Sequence, residues 1–155
     1  MPKKVISNTT PLINLLKINR LDLLKSLYEK IFVPSFVYCE VEEGKKKAYY
    51  ADLRKYDWIE IIELKNEDAL KLLIDLDKGE AETIAIAQEL DCDLVLMDEK
   101  LGRRYAKNFN LTITGTLGIL IKAKQLGLIT NLTETLTELK SKGTYFNEEI
   151  IIKYK

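Results

Sequence analysis

The sequence predicts an α/β protein of three layers, α/β/α, around a central parallel sheet of about five strands. Three observations point there. Strand-like segments recur at Val5–Ser7, Ile31–Val33, Trp58–Ile62, Leu94–Met97 and Leu111–Thr114, and helical patterns separate them. The apolar run Leu94–Met97 is too short for a helix and lacks alternation, as expected of a strand buried on both faces. The 155 residues suffice for one domain with a sizeable core and are too few for two. With three Pro, seven Gly and no Ser/Gly-rich tract there is no place for a linker, so one domain is expected over 1–155.

Each element has its own warrant. After Ser7, Asn8-Thr-Thr-Pro11 supplies N-cap candidates and a proline suited to a first helical turn. Leu12, Leu15 and Leu16 continue with helical spacing. The segment Val33–Glu43 starts as a strand and turns into a helix near Pro34, with Val37, Glu40 and Val41 on one face and Glu42 and Glu43 elsewhere. Asp77 heads a helix with Glu80 three residues on, and Asn131 does the same with Glu134. Leu132, Leu136 and Leu139 form an apolar stripe that ends before Gly143.

Composition narrows the function classes. Lys+Arg and Asp+Glu balance at 24 each, so any polyanion partner must be met by a local patch. Histidine is absent, which removes the usual general base, the Ser-His triad and zinc–imidazole sites together. Cys39 and Cys92 have no metal-ligand spacing and sit in apolar sequence, as small core residues of a reducing compartment would. The uncharged stretch Leu111–Ile121 is too short to span a bilayer, and the N-terminus reaches Ser7-Asn8-Thr9-Thr10 too soon for a signal peptide. A cytoplasmic protein without a membrane partner is expected.

Three carboxylates stand out. Asp98 directly follows a buried strand, at the carboxyl rim where open α/β sheets bind ligands. Glu80 opens the helix before that strand, and Glu40 lies on a core-facing stripe where an unpaired charge is costly. Each has a structural alternative: a salt bridge for Glu40, a helix cap for Glu80, and for Asp98 a cap on the helix beginning at Glu99. Together they fall on one rim, where they repel unless a cation lies between them. Oxygen ligands without His or Cys select Mg²⁺ or Mn²⁺. Such ions support phosphodiester hydrolysis, a reaction that needs no histidine.

The pattern resembles the PIN domain, the ribonuclease fold shared by toxins of the VapC type. In that family a first strand ends in Asp-(Ser/Thr), a Glu lies in the helix after the second strand, an acid opens a central helix, and an Asp follows the next strand. Val5-Ile-Ser-Asn-Thr-Thr-Pro-Leu12, Glu40, Glu80 and Leu96-Met-Asp98 occupy those places in order. Lys100-Leu-Gly-Arg-Arg-Tyr-Ala106 and Thr114-Gly-Thr-Leu-Gly-Ile-Leu120 resemble one prokaryotic branch, and the match runs from about Val5 to Gly127. The resemblance implies catalytic Glu40, Glu80 and Asp98, a metal held by these with Asn8, RNA as substrate, a cognate antitoxin and a homodimer. Asn8 stands where the family usually has Asp, so the site has about one negative charge fewer. Glu82 is an alternative to Glu80 as third ligand, and the two cannot both face the same way on a helix.

Lys100, Arg103, Arg104 and Lys107 fall three, four and seven residues apart, on one helix face that starts at the acidic rim. They are either a solvated face or contacts to the phosphates flanking a scissile bond. Lys45-Lys-Lys47 is a weaker candidate. Thr114 and Thr116, around Gly115, bring hydroxyls and backbone N–H groups to the same rim, without the Gly-Lys-Ser/Thr ending of a P-loop. Besides a ribonuclease, the sequence allows a silent RNA- or partner-binding module, motivated by Asn8. A receiver domain lacks its acidic pair after the first strand, and no Gly-x-Gly-x-x-Gly marks a dinucleotide site.

Overall fold

The computed structural model describes residues 4–146 and Glu149. Five strands, β1 (Val5–Ser7), β2 (Ile31–Pro34), β3 (Ile59–Ile62), β4 (Leu94–Leu96) and β5 (Ile113–Thr114), pair in the order β3-β2-β1-β4-β5. Every neighbouring pair is parallel.

Side-chain alternation sorts the sheet into two faces. Val5, Ile31, Val33, Leu94 and Leu96 join one core with α1 (Thr9–Lys17), α2 (Asp22–Tyr28), α3 (Ser35–Glu42), α6 (Thr116–Gln125) and α7 (Leu132–Ser141). Ile6, Phe32, Val95 and Met97 pack on the other face against α4 (Lys78–Glu89) and α5 (Lys100–Asn108). The result is the three-layer α/β/α arrangement with a parallel sheet that the sequence predicts.

The helix ends follow their sequence signals. Asp77 accepts the Glu80 N–H at 2.8 Å, and Asn131 accepts that of Glu134 at 3.0 Å. Gly143, at φ +96, takes the left-handed turn after α7. Asn8 occupies the N-cap position of α1 but makes no side-chain cap bond there, and its amide nitrogen donates to Glu99.

Two expectations are corrected. Strand pairing in the last strand begins at Ile113, because the Leu111 N–H closes the end of α5 on Ala106 O at 2.9 Å. Asn110 makes that turn at φ +60, a conformation Asn tolerates better than most residues. Cys39 is exposed, while Cys92 is buried. Burying Val37 and Val41 turns the intervening position 39 outward on α3. Among the described residues, no helix is long and apolar enough to cross a membrane.

The topology sets the place of the site. From β1 the chain builds outward through β2 and β3, then returns to the other side of β1 as β4 and β5. The crevice at the carboxyl ends of β1 and β4 is the switch point where such sheets receive ligands. Ser7 lies opposite Leu96, and the Asn8 N–H donates to Leu96 O at 2.9 Å, so Asn8 and the residues after Leu96 leave the sheet side by side.

Candidate active site at the carboxyl edge of the sheet

Residues from five elements gather at this crevice, and short hydrogen bonds tie them together. Asn8, 2% exposed, donates from Nδ2 to Glu99 Oε2 at 3.0 Å. The Thr10 hydroxyl donates to Glu99 Oε1 at 2.5 Å, and that of Thr9 to Glu40 Oε1 at 2.8 Å. Glu99 therefore spans from the start of α5 to the start of α1. Among the described residues the Asn8 amide oxygen is met only by the Thr83 hydroxyl at 3.5 Å, and that hydroxyl already donates to Gly79 O at 2.7 Å. A buried acceptor oxygen is thus left with lone pairs to share.

Asp98 is held from the other side. It accepts the Thr116 N–H at 2.7 Å on Oδ1 and the Thr116 hydroxyl at 2.6 Å on Oδ2. It caps α6 in this way, rather than the helix that follows it in sequence. The chain of bonds continues inward: Asn14 Nδ2 donates to Thr116 Oγ1 at 2.9 Å, and the Thr144 hydroxyl donates to Asn14 Oδ1 at 2.8 Å. Asn14 and Thr116 are both buried.

Two glycines make room for carboxylates, and a third for Met97 beside Glu80. A Cβ on Gly79 would overlap Glu40 Oε1. One on Gly115 would come within 2.5 Å of Asp98 Oδ1, and one on Gly102 within 2.5 Å of Met97 Sδ and 3.1 Å of Glu80 Oε2. Real Cβ atoms rarely approach so closely, so a side chain at position 79 or 115 would displace the acid it faces, and one at 102 would first displace Met97.

The electrostatics agree with the crowding. Burial, then a hydrogen bond to Asp77 and the negative charges of Asp77, Glu99 and Glu40, push the Glu80 carboxyl up to about 8. Burial likewise raises Glu40, against the Thr9 hydrogen bond, with Asp77, Glu43 and Glu99 adding repulsion. Asp98 is raised by burial; its bonds to Thr116 and the Arg103 cation pull the other way, and Glu99 adds repulsion. Among the described residues Glu40 forms no ion pair, so the salt bridge that would explain it structurally is not made.

This donor set is all oxygen, strongly anionic and partly protonated, and it fits a hard divalent cation by its chemistry. The side chains as positioned do not yet enclose one. Among the described residues, no group of three or more His, Cys, Asp or Glu side chains stands together closely enough to hold a metal ion. Glu40, Asp98 and Glu99 are each turned to a Thr or Asn donor, and ligation would require some of these bonds to be exchanged.

The remaining sequence candidates divide. Glu82 looks away from the cluster, its carboxyl raised by burial and surrounded by Lys78, the Phe36 backbone, Glu67 and Glu63. Lys100, Arg103, Arg104 and Lys107 are all exposed along α5 and line an open cavity of about 560 Å³ with Leu111, Thr112 and Ile113. The Arg103 cation lies near enough to Asp98 to lower its pKa without forming an ion pair with it. Thr114 is half-buried with its hydroxyl against Gly118. Thr116 is buried with its hydroxyl committed to Asp98 and Asn14, a different role from the phosphate contact expected of it. Lys45 pairs with Glu42 at 3.1 Å. Sequence reasoning missed Glu99, Asn14 and Thr83. Only Glu99 carried a signal, as the second half of an acidic pair after a buried strand.

Residues 4–154 match a family model described as a PIN domain. PIN domains are in general nucleases that use divalent metal ions. No curated protein matches the chain.

Proposed function

This chain belongs to the PIN-domain family, and we propose that it is a Mg²⁺- or Mn²⁺-dependent ribonuclease that hydrolyses RNA phosphodiester bonds at the crevice between β1 and β4. One observation supports the reading: Glu40, Glu80, Asp98 and Glu99 line the switch point of the sheet beside Asn8, near enough for their charges to raise one another's pKa although as positioned they do not enclose an ion. Such a concentration of acids is destabilising unless a function repays it.

In this reading Glu40, Glu80 and Asp98 are the catalytic acids and hold the ion with Asn8. When bound, a divalent ion lowers the pKa of water and neutralises phosphoryl oxygens. The protein's own groups do the rest. Thr116 and Thr9 fix the orientation of Asp98 and Glu40, and the Glu80 carboxyl, pushed up to about 8 in the metal-free protein, must give up its proton to serve as a ligand. Arg103 and its neighbours on α5 offset the charge of the incoming phosphates. Asn8 costs the site a charge, but its amide donates to Glu99 and holds an extra carboxylate where an Asp would repel one. This favours the active enzyme over a silent binding module.

The same reading makes the chain the toxin of a toxin–antitoxin pair, a homodimer silenced by a cognate antitoxin. That part rests on the family's habits. Co-purification with the product of a neighbouring short reading frame tests it.

The enzymatic proposal is tested by Mn²⁺ titration and by cleavage of a single-stranded RNA, with the wild type beside Asn8→Asp and Asp98→Asn. Binding and cleavage by the wild type, both lost in Asp98→Asn, are expected. A wild type that neither binds nor cleaves, beside an active Asn8→Asp, would instead establish the silent module. Inactivity of all three would end the nuclease reading.

A further inference from the structure

The segment after α7 is pinned at two points and leaves one aromatic residue free between them. Thr144 donates its N–H to Leu139 O at 3.0 Å and its hydroxyl to Asn14 Oδ1 at 2.8 Å, at the inner end of the chain of bonds that holds Asp98. Phe146 is buried in the core formed by the helices on that face. Tyr145, between the two anchors, is 83% exposed. A single exposed tyrosine is ordinary on a surface, but this one borders a cavity that contains Asp98.

That cavity measures about 720 Å³, within the range of about 300–1,000 Å³ typical of small-ligand pockets. Its polar wall carries Asp98, Thr10, Lys17 and Lys100, and its apolar wall Ile13 and Leu117 beside Tyr145. The arrangement is asymmetric in a way that suits a nucleotide. Two ammonium groups attract phosphate, the Asp98 carboxylate repels it, and the aromatic ring offers a flat face to a base.

We propose that this cavity is a subsite for one nucleotide of a single-stranded RNA next to the scissile bond, with its base stacked on Tyr145 and its phosphate held by Lys17 and Lys100. The inference rests on the ribonuclease reading of the adjoining carboxylates and adds to it where the flanking nucleotide lies. Stacking on an aromatic face is tolerant of base identity, so the subsite positions the strand without demanding a sequence. The anchored strap holds the tyrosine in place, which limits the entropy lost when a base docks.

The test uses the full chain in EDTA, which withholds the ion that cleavage needs, and a fluorescently labelled single-stranded RNA, with affinity read by anisotropy. A second oligonucleotide of equal length and charge lacks its bases. Tyr145→Ala should weaken binding of the first strand by about 5- to 150-fold, the range for one lost stack. It should leave binding of the abasic strand unchanged. Tyr145→Trp should restore the affinity and show quenching of the new indole when RNA is added. If Tyr145→Ala weakens both strands equally, or neither, the subsite is wrong while a wild type that cleaves RNA keeps the enzymatic reading intact. If the wild type neither binds nor cleaves RNA, the enzymatic reading falls and the subsite falls with it.

Discussion

The acidic rim and the basic stripe of α5 meet at Asp98 and Lys100, yet they are built by opposite rules. At the rim, Glu40, Asp98 and Glu99 each accept a short hydrogen bond from a Thr or Asn, and glycines 79 and 115 leave room for Glu40 and Asp98. On the stripe, Lys100, Arg103, Arg104 and Lys107 are exposed, and among the described residues none of them forms an ion pair. A carboxylate that must present an oxygen to a fixed point needs its rotamer held, and the neighbours that hold it become part of the site. A cation that attracts a flexible polyanion needs only to be near and unpaired. Substitutions at the rim should therefore act through geometry, with large effects, and those on the stripe through charge, with graded ones.

The largest effect is expected at Asp98. An Asn there still accepts the Thr116 N–H through its amide oxygen, so the start of α6 stays capped while the charge is lost. Nuclease activity and Mn²⁺ binding should fall at least about 100-fold, more than the effect of a typical residue outside the ligand shell. The melting temperature of the metal-free protein should stay level or rise, because a charge penalised by burial and by the repulsion of Glu99 has been removed. A marked drop in melting temperature with activity retained would make Asp98 a structural cap and erase the contrast with the stripe.

Thr116→Val is the next strongest test, since it alters no acid. It removes one of the two bonds to Asp98 and strands the Asn14 amide, which is buried. Activity and metal affinity should drop about 10- to 100-fold, as for other residues that orient a ligand. Denaturant unfolding should show a loss of about 1–3 kcal/mol from the unsatisfied donor. Thr116→Ser keeps the hydroxyl and should recover most of both. Failure of the Ser variant to rescue would show that the methyl group, not the hydrogen bond, holds the site.

The same distinction explains what was legible in the sequence. Strand positions, their parallel pairing and the caps at Asp77 and Asn131 depend on local pattern, and five strands formed at the predicted segments, the last of them shorter at its start. Glu40 and Asp98 were visible because a charge on a buried stripe or after a buried strand conflicts with its surroundings. The holders were not. Thr116 lies 18 residues from Asp98, Asn14 lies 102 from Thr116, and Gly79 makes room for Glu40 on another helix. Pairings of that kind depend on how helices pack, and no periodicity records them. Cys39 was misplaced for a related reason, because apolar neighbours in sequence do not decide which side of α3 faces water.

Glu80 gives a smaller but distinctive signal, in the pH dependence of stability. Its carboxyl keeps a proton up to about pH 8 in the folded protein but releases it near the ordinary value of 4.5 when unfolded. Between those values the native state binds more protons than the unfolded one, so the stability of the metal-free protein should fall as pH rises through that window and level off above it. Glu80→Gln should flatten the decline. Mn²⁺ added at pH 8.5 should offset it, since the ion replaces the proton. Thermal melts between pH 5 and 9 supply the measurement. An identical slope in wild type and variant would place the repulsion elsewhere in the cluster.

The mildest change should come from the stripe. Replacing Arg103 and Arg104 by Ala removes two exposed cations without breaking any ion pair among the described residues, so the fold and the Mn²⁺ affinity should persist. Phosphate contacts position a strand without reading its bases, so binding to single-stranded RNA should weaken alike for all sequences. Each lost contact should flatten the salt dependence by about 0.7 in log–log slope, so the pair should change it by about 1.4. Arg103 alone has a second attachment, its attraction to Asp98. Of the two single variants, Arg103→Ala should therefore also raise the Asp98 pKa, moving the acid limb of the pH–rate profile upward, while Arg104→Ala should leave it in place. Binding across a salt series and rates across a pH series separate the two arginines. An unchanged salt slope in the double variant would return the stripe to an ordinary solvated helix face, and a common pH shift would mean that the rim feels the stripe only as bulk charge.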